Sequence, residues 1–161
     1  MSYGNIPAEL KAFKNWVLWK RKQKTPDGRA QKMPYSALGL LAKTNKPETW
    51  TDFDNAAAIL KGGKYDGLGF VFTNTPYVGV DLDGCFIDGE LSPTAKEIVE
   101  LLDGYTEYSP SGKGLHIIVK ASLPKGKRQN SIDGMKVEMY GHGSPRYFTM
   151  TGNIYDRGTS P

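Results

Sequence analysis

One cysteine, Cys85, is all the thiol this chain of 161 residues contains. A single thiol excludes an internal disulfide and any zinc site built from several cysteines. Long hydrophobic runs are missing as well, and no apolar stretch approaches the roughly 20 residues a helix needs to cross a bilayer. The opening Met1-Ser2-Tyr3-Gly4-Asn5 lacks the basic-then-apolar layout of a secretory signal. There are no internal repeats, no low-complexity tract and no disorder signature. What remains is a soluble cytoplasmic α+β protein with no membrane partner, long enough to bury a real core.

Charge is present but unevenly spread. Residues 1–50 carry ten basic side chains against three acidic, residues 51–104 three against ten, and residues 105–161 eight against four. The three segments are thus +7, −7 and +4, within a formal net charge of +4. An acidic centre between basic flanks suits a metal site that handles a polyanion. The plainer alternative is a solvated surface of uneven charge.

Along the chain, residues 7–13 read as a short helix, Asn15 to Lys20 as a strand, and Gln31 to Tyr35 as its hairpin partner, held to an edge or strand end by Pro34. Pro26-Asp27-Gly28 reads as the turn between them. A helix is predicted over roughly 52–62 with Thr51 as N-cap, then a strand over Asp66 to Phe72. The short link through Pro76 predicts that this strand pairs antiparallel with the next, Tyr77 to Asp83. A loop is expected over Cys85 to Leu91. Ser92-Pro93 opens a helix whose apolar side is Ile98, Leu101 and Leu102. Strands are expected at 105–108, 115–120, 136–140 and 146–150, and the tail beyond Tyr155 has no pattern. Residues 1–155 form the folded domain and 156–161 a tail or linker.

Three strands carry the chemistry. Side chains alternate across a strand, so Asp81 and Asp83 share one face while Val78, Val80 and Leu82 share the other. Two adjacent carboxylates resist ionising together, and a hard divalent cation, Mg²⁺ or Mn²⁺, relieves that. An acidic turn is the competing explanation. By the same parity His116 opposes Leu115, Ile117 and Val119, and Glu138 opposes Val137 and Met139. If the strands share a sheet, Asp81, Asp83, His116 and Glu138 share its polar face, and three carboxylates can hold two metal ions. The loop Ser109 to Gly114 is a candidate anion cradle: Gly112 and Gly114 allow close backbone approach, Ser109 and Ser111 add donors, and Lys113 adds charge. A hairpin turn with a hydrogen-bonded strand histidine is the alternative.

The ordered set Gly79-Val80-Asp81-Leu82-Asp83, Ser109 to His116 and Val137-Glu138-Met139-Tyr140 resembles the archaeo-eukaryotic primase superfamily. The likeness is closest to its phage and plasmid primase-polymerases, of the deep-sea vent phage polymerase type. Trp16 to Lys20, Gly67 to Val71, Tyr105 to Gly112 and Arg146 to Gly152 extend it over residues 14–155. The resemblance implies a primase-like core with a mostly antiparallel mixed sheet, made of an RRM-like catalytic module plus an N-terminal α/β module flanked by helices. It implies DNA primase and DNA polymerase activity by two-metal nucleotidyl transfer, with Asp81, Asp83 and Glu138 holding Mg²⁺ or Mn²⁺. His116, Ser109, Ser111 and Lys113 would contact the phosphates of a dNTP or rNTP, joined by Arg146 and Lys32. The Ser-x-His spacing departs from the family pattern, since Gly114-Leu115 precede His116 and the serine must come from further back. Lys22, Lys24, Arg29, Lys125, Lys127 and Arg128 would hold the DNA template and primer. The implied setting is phage or plasmid replication in a bacterial host cytoplasm. The chain would act as a monomeric catalytic core, with a fused or separate helicase.

Four rival readings are weaker. A relaxase-type initiator would want two metal-binding histidines on one strand, and His116 stands alone on its own. A haloacid-dehalogenase-type phosphatase shares the apolar run ending in Asp-x-Asp-Gly, but it opens its domain with that strand and later supplies a paired-acid motif missing here. A nucleotide-sugar transferase rests on Asp-x-Asp alone. An RRM-like single-stranded nucleic-acid binder without turnover has no reason to cluster acids against a polyanion.

Overall fold

The computed structural model describes residues 1–22, 26, 28, 30–123 and 128–157. Its elements in chain order are α1 (Ala8–Lys11), β1 (Trp16–Arg21), β2 (Lys32–Tyr35), α2 (Phe53–Leu60), β3 (Gly67–Phe70), β4 (Tyr77–Asp83), β5 (Phe86–Ile87), β6 (Glu90–Leu91), α3 (Pro93–Leu102), β7 (Tyr105–Tyr108), β8 (Gly114–Lys120), β9 (Gln129–Ile132), β10 (Met135–Tyr140) and β11 (Phe148–Met150). All named pairings are antiparallel, so the chain is α+β with few helices. None of the described helices is long and apolar enough to cross a membrane.

Two compact units emerge. One comprises Pro7–Thr75 with Gly143–Met150. Its four-stranded sheet runs β11-β3-β1-β2, and Pro34 sits on the edge strand β2, where a missing N–H does least harm. Trp16 packs edge-on against Phe53 and Phe70, which ties α2 to the sheet. The β3 glycines make room for rings: a Cβ at Gly67 would meet Trp19, and one at Gly69 would meet Tyr147, each at 2.6 Å.

The other unit comprises Met1–Ile6, Pro76–His142 and Thr151–Pro161. Its five-stranded sheet runs β7-β8-β4-β10-β9. Val78, Val80, Leu82, Leu115 and Ile117 pack on one face against Ala95 and Val99 of α3, with Cys85 and Met135 in the same cluster. Burial pushes the Cys85 thiol up to about 11, as expected of an inert core residue.

Several expectations need correction. β3 and β4 do not pair: β3 lies between β1 and β11 and β4 between β8 and β10, so both edges of each are already taken. Asp52, not Thr51, caps α2, accepting from the Asn55 N–H; Thr51 is held extended by reciprocal backbone bonds to Trp16. Residues 85–91 include the hairpin β5–β6, turned by Asp88-Gly89 with φ of 51° and 81°. Strand β9 was not expected either, and Asp133-Gly134, with φ of 50° and 76°, makes the same turn into β10. Both are Asp-Gly pairs, among the compositions favoured where both central residues of a hairpin turn have positive φ. On α3 the buried stripe is Ala95 and Val99 flanked by Ile98 and Leu102, whereas Leu101 is 82% exposed. Arg146 precedes β11 rather than lying in it. Asp27 of the expected Pro-Asp-Gly turn lies outside the described residues.

Candidate active site

Strand β4 is central because its apolar face needs cover and both its edges are paired. The registers fix what lies beside Asp81. His116 is its Cα partner on β8 and Glu138 its partner on β10. One strand further out, Glu107 on β7 partners His116, and Gln129 on β9 partners Glu138. Side chains opposite one another in paired strands project from the same face. A single row of Glu107, His116, Asp81, Glu138 and Gln129 therefore crosses the sheet opposite the α3 core.

Three of the row's five side chains are shielded from water, Asp81 is partly so, and Gln129 at the outer end is exposed. His116 and Glu138 are each 5% exposed and Glu107 is 0% exposed. His116 Nε2 lies 3.6 Å from Asp81 Oδ1, longer than a hydrogen bond. Its other nitrogen, Nδ1, lies 3.3 Å from Glu107 Oε1. Glu138 accepts from the Tyr140 hydroxyl at 2.9 Å and from Lys136 Nζ at 2.7 Å. Asp83 is exposed and sits one pleat along β4, with Gly114 and Lys136 as its cross-strand partners.

The carboxylates of Asp81 and Glu138, which project from one face of the sheet as cross-strand neighbours, are hard oxygen donors of the kind Mg²⁺ and Mn²⁺ take. Among the described residues, no three His, Cys, Asp or Glu side chains converge closely enough to cage an ion as they stand. In donor type, three carboxylates suit a hard divalent cation: Asp81 and Glu138 are cross-strand neighbours and Asp83 lies one pleat along β4.

The Ser109 to Gly114 loop is knitted to itself. Ser109 Oγ accepts from the Gly114 N–H at 3.1 Å and lies 3.2 Å from Ser111 Oγ, while Ser111 Oγ accepts from the Lys113 N–H. The Gly112 N–H donates to the Ser109 carbonyl. Three successive amides are thus turned inward, and Lys113, whose side chain is exposed, is the group the loop offers outward.

Arg146 and Lys32 belong to the other unit, the one that lacks the carboxylate row. Lys32 Nζ sits 5.7 Å from the Trp19 ring, and its carbonyl accepts from the Tyr147 hydroxyl. Of the basic residues expected to hold nucleic acid, Lys22 and Arg128 are exposed, while Lys24, Arg29, Lys125 and Lys127 lie outside the described residues.

Glu107 is the residue that sequence reasoning passes over. Its carboxylate accepts from the Thr151 and Gly152 N–H groups at 2.9 and 2.8 Å and from the Tyr105 hydroxyl at 2.8 Å. Burial first, then the charge and hydrogen bond of Glu107, push the Tyr105 hydroxyl well above the ordinary phenol range, so it stays a donor. Alternation along Tyr105 to Tyr108 gives a face but not a register, and only the register brings Glu107 to His116.

No protein-family model matches the chain. In an alignment 159 residues long that covers 94% of this chain, the chain is 36% identical to the DNA primase-polymerase of Nitratiruptor phage NrS-1, and it spans 21% of that protein. The chain is thus related in sequence to about a fifth of a phage primase-polymerase.

Proposed function

We propose that this chain is the nucleotidyl-transfer core of a phage-type DNA primase-polymerase, acting on a DNA template and primer with dNTPs or rNTPs. The observation that carries the reading is the register that sets Asp81 between His116 and Glu138 on one face of a sheet. The likeness to a phage primase-polymerase supports it independently. We read the five-stranded unit as an RRM-like catalytic module and the Trp16-containing unit as the N-terminal α/β module of a primase-like core. The site of action is the cytoplasm of a bacterial host.

In this reading Asp81 and Glu138, with Asp83, hold Mg²⁺ or Mn²⁺. Two such ions, when bound, supply Lewis-acid activation of the attacking hydroxyl and charge neutralisation on the leaving pyrophosphate. The primer 3′-hydroxyl attacks the α-phosphorus of the nucleotide in line. The bond to the β-phosphate oxygen breaks, and pyrophosphate leaves. His116 Nε2 faces the acids and meets the triphosphate, and Lys113 adds charge from the loop in front of it. Arg146 and Lys32 are further candidates for the phosphates. Lys22, Lys24, Arg29, Lys125, Lys127 and Arg128 are candidates for the DNA backbone.

Primer extension tests this. Primed template, nucleotides and Mn²⁺ or Mg²⁺ are supplied to wild type, to D81A/D83A and to E138A. Wild type is expected to extend and both variants to lose at least 100-fold, about 2.7 kcal/mol of transition-state stabilisation. No extension by wild type under either metal sinks the polymerase reading. Extension that survives D81A/D83A sinks the site assignment and leaves the activity standing.

A further inference from the structure

We propose that Glu107 is a positioning residue for His116: it holds Nδ1–H inward and thereby fixes Nε2 as the nitrogen offered to the acidic face. The proposal rests on the reading of His116 as a phosphate contact only for its catalytic consequence; the imidazole geometry stands without it.

A carboxylate buried without compensation is strongly disfavoured, so what surrounds Glu107 determines what it can do. Two of its donors are backbone N–H groups, of Thr151 and Gly152, which cannot accept a hydrogen bond. A third is the Tyr105 hydroxyl on Oε2. With donors converging on both oxygens, the carboxylate acts as an acceptor. The group facing its Oε1 from His116, Nδ1 at 3.3 Å, must then carry the proton. Which imidazole nitrogen is protonated is set by the hydrogen bond the ring makes behind it. A ring flip would place carbon against Glu107 and lose that bond. Nε2 is then directed toward Asp81 Oδ1, 3.6 Å away, where the candidate site lies.

Glu107 is also anchored independently of the histidine. The chain from Thr151 to Tyr155 runs along the outer edge of β7, with Tyr108 N–H donating to the Asn153 carbonyl and Tyr155 N–H to the Thr106 carbonyl. The carboxylate is therefore fixed by backbone before it meets the ring, as positioning requires.

Nitrogen-15 spectra of the metal-free full chain read the imidazole directly. The expected result is a protonated Nδ1 on His116 in wild type, whether or not Nε2 also carries a proton. In E107Q the side-chain amide cannot accept from all these donors, and the Nδ1–H signature should be lost or mixed. A bare Nδ1 with protonated Nε2 in wild type overturns the proposal without need of any variant. Unchanged His116 shifts in E107Q overturn it as well. In primer extension, E107Q is expected to lower kcat/KM by about 10- to 100-fold, by analogy with the loss on removing the partner behind a metal-ligating imidazole. E107Q combined with H116A should fall no further than H116A alone. Multiplying losses would assign Glu107 a purely structural role. If wild type does not extend primers at all, the polymerase reading fails while the spectra still decide the role of Glu107.

Discussion

Lys136 places a positive charge inside an acidic face. Its Nζ lies 2.7 Å from Glu138 Oε1, and Glu138 is the Cα partner of Asp81. Like charges directly opposite on a sheet are destabilising, so Lys136 partly offsets a repulsion the site needs for other reasons. Lys136→Met keeps much of the apolar stem and removes the charge. Depriving a buried carboxylate of a charged partner costs about 1–3 kcal/mol. Because the lysine side chain is 41% exposed, solvent screening moves the loss toward the lower end. K136M is therefore expected to melt below wild type in chelator. Mn²⁺ or Mg²⁺ should raise its melting temperature by more than it raises that of wild type, since the ion takes over the neutralising role. Identical melting of the two proteins with and without ions would remove Lys136 from the electrostatics of the site.

Strand β8 depends on a glycine to lie close to β4. A Cβ at Gly114 would meet the Leu82 carbonyl oxygen at 2.6 Å, Asp83 Oδ1 at 3.2 Å and Ser109 Oγ at 3.3 Å. Gly114→Ala must push β8 from β4 beside Asp83. It should cost about 1–3 kcal/mol, as overpacking does, and should reduce primer extension. Gly112→Ala is the control. Its φ of +74° strains an alanine, but nothing lies within 4 Å of the added carbon, so extension should survive. Equal activity of G114A and wild type would show that the close approach is dispensable. Parity made the polar face legible in advance, because Val80, Ile117 and Val137 each mark the side opposite an acid or the histidine. Register was not legible. Nothing in Gly67 to Phe70 or Tyr77 to Asp83 says that each is a central strand with other partners. The hairpins at Asp88-Gly89 and Asp133-Gly134 were written in the sequence, but their strands are too short, or too polar at Gln129 to Ser131, for periodicity to reveal them. Glu107 was hidden for the same reason as the register, since its partner lies nine residues away around a loop.

Folding regroups the charge that the sequence distributes in thirds. The unit containing Trp16 holds thirteen basic against six acidic residues, or +7, and the unit with the carboxylate row holds eight against eleven, or −3. Each unit also contains a phenol that must stay neutral. Burial pushes the Tyr147 hydroxyl, which donates to the Lys32 carbonyl at 2.6 Å, far above the ordinary phenol range. Burial and Glu107 do the same to Tyr105. In the unfolded chain both ionise near pH 10. Above that pH the unfolded state has lost protons that the native state keeps, so stability falls as pH rises through the window up to the raised native values. Below pH about 10 both states are protonated, and these groups add no pH dependence. Within the window each phenol contributes a slope of up to about 1.4 kcal/mol per pH unit. Tyr147→Phe loses one hydrogen bond, about 1 kcal/mol at neutral pH, and removes its share of the slope. Denaturant melts at pH 7 to 11 should therefore give curves for Y147F and wild type that converge above pH 10. Parallel curves, or tyrosinate absorbance appearing at pH 10 in native wild type in proportion to all nine tyrosines, would mean that Tyr147 ionises without hindrance and that its ring is not held as the packing over Gly69 requires.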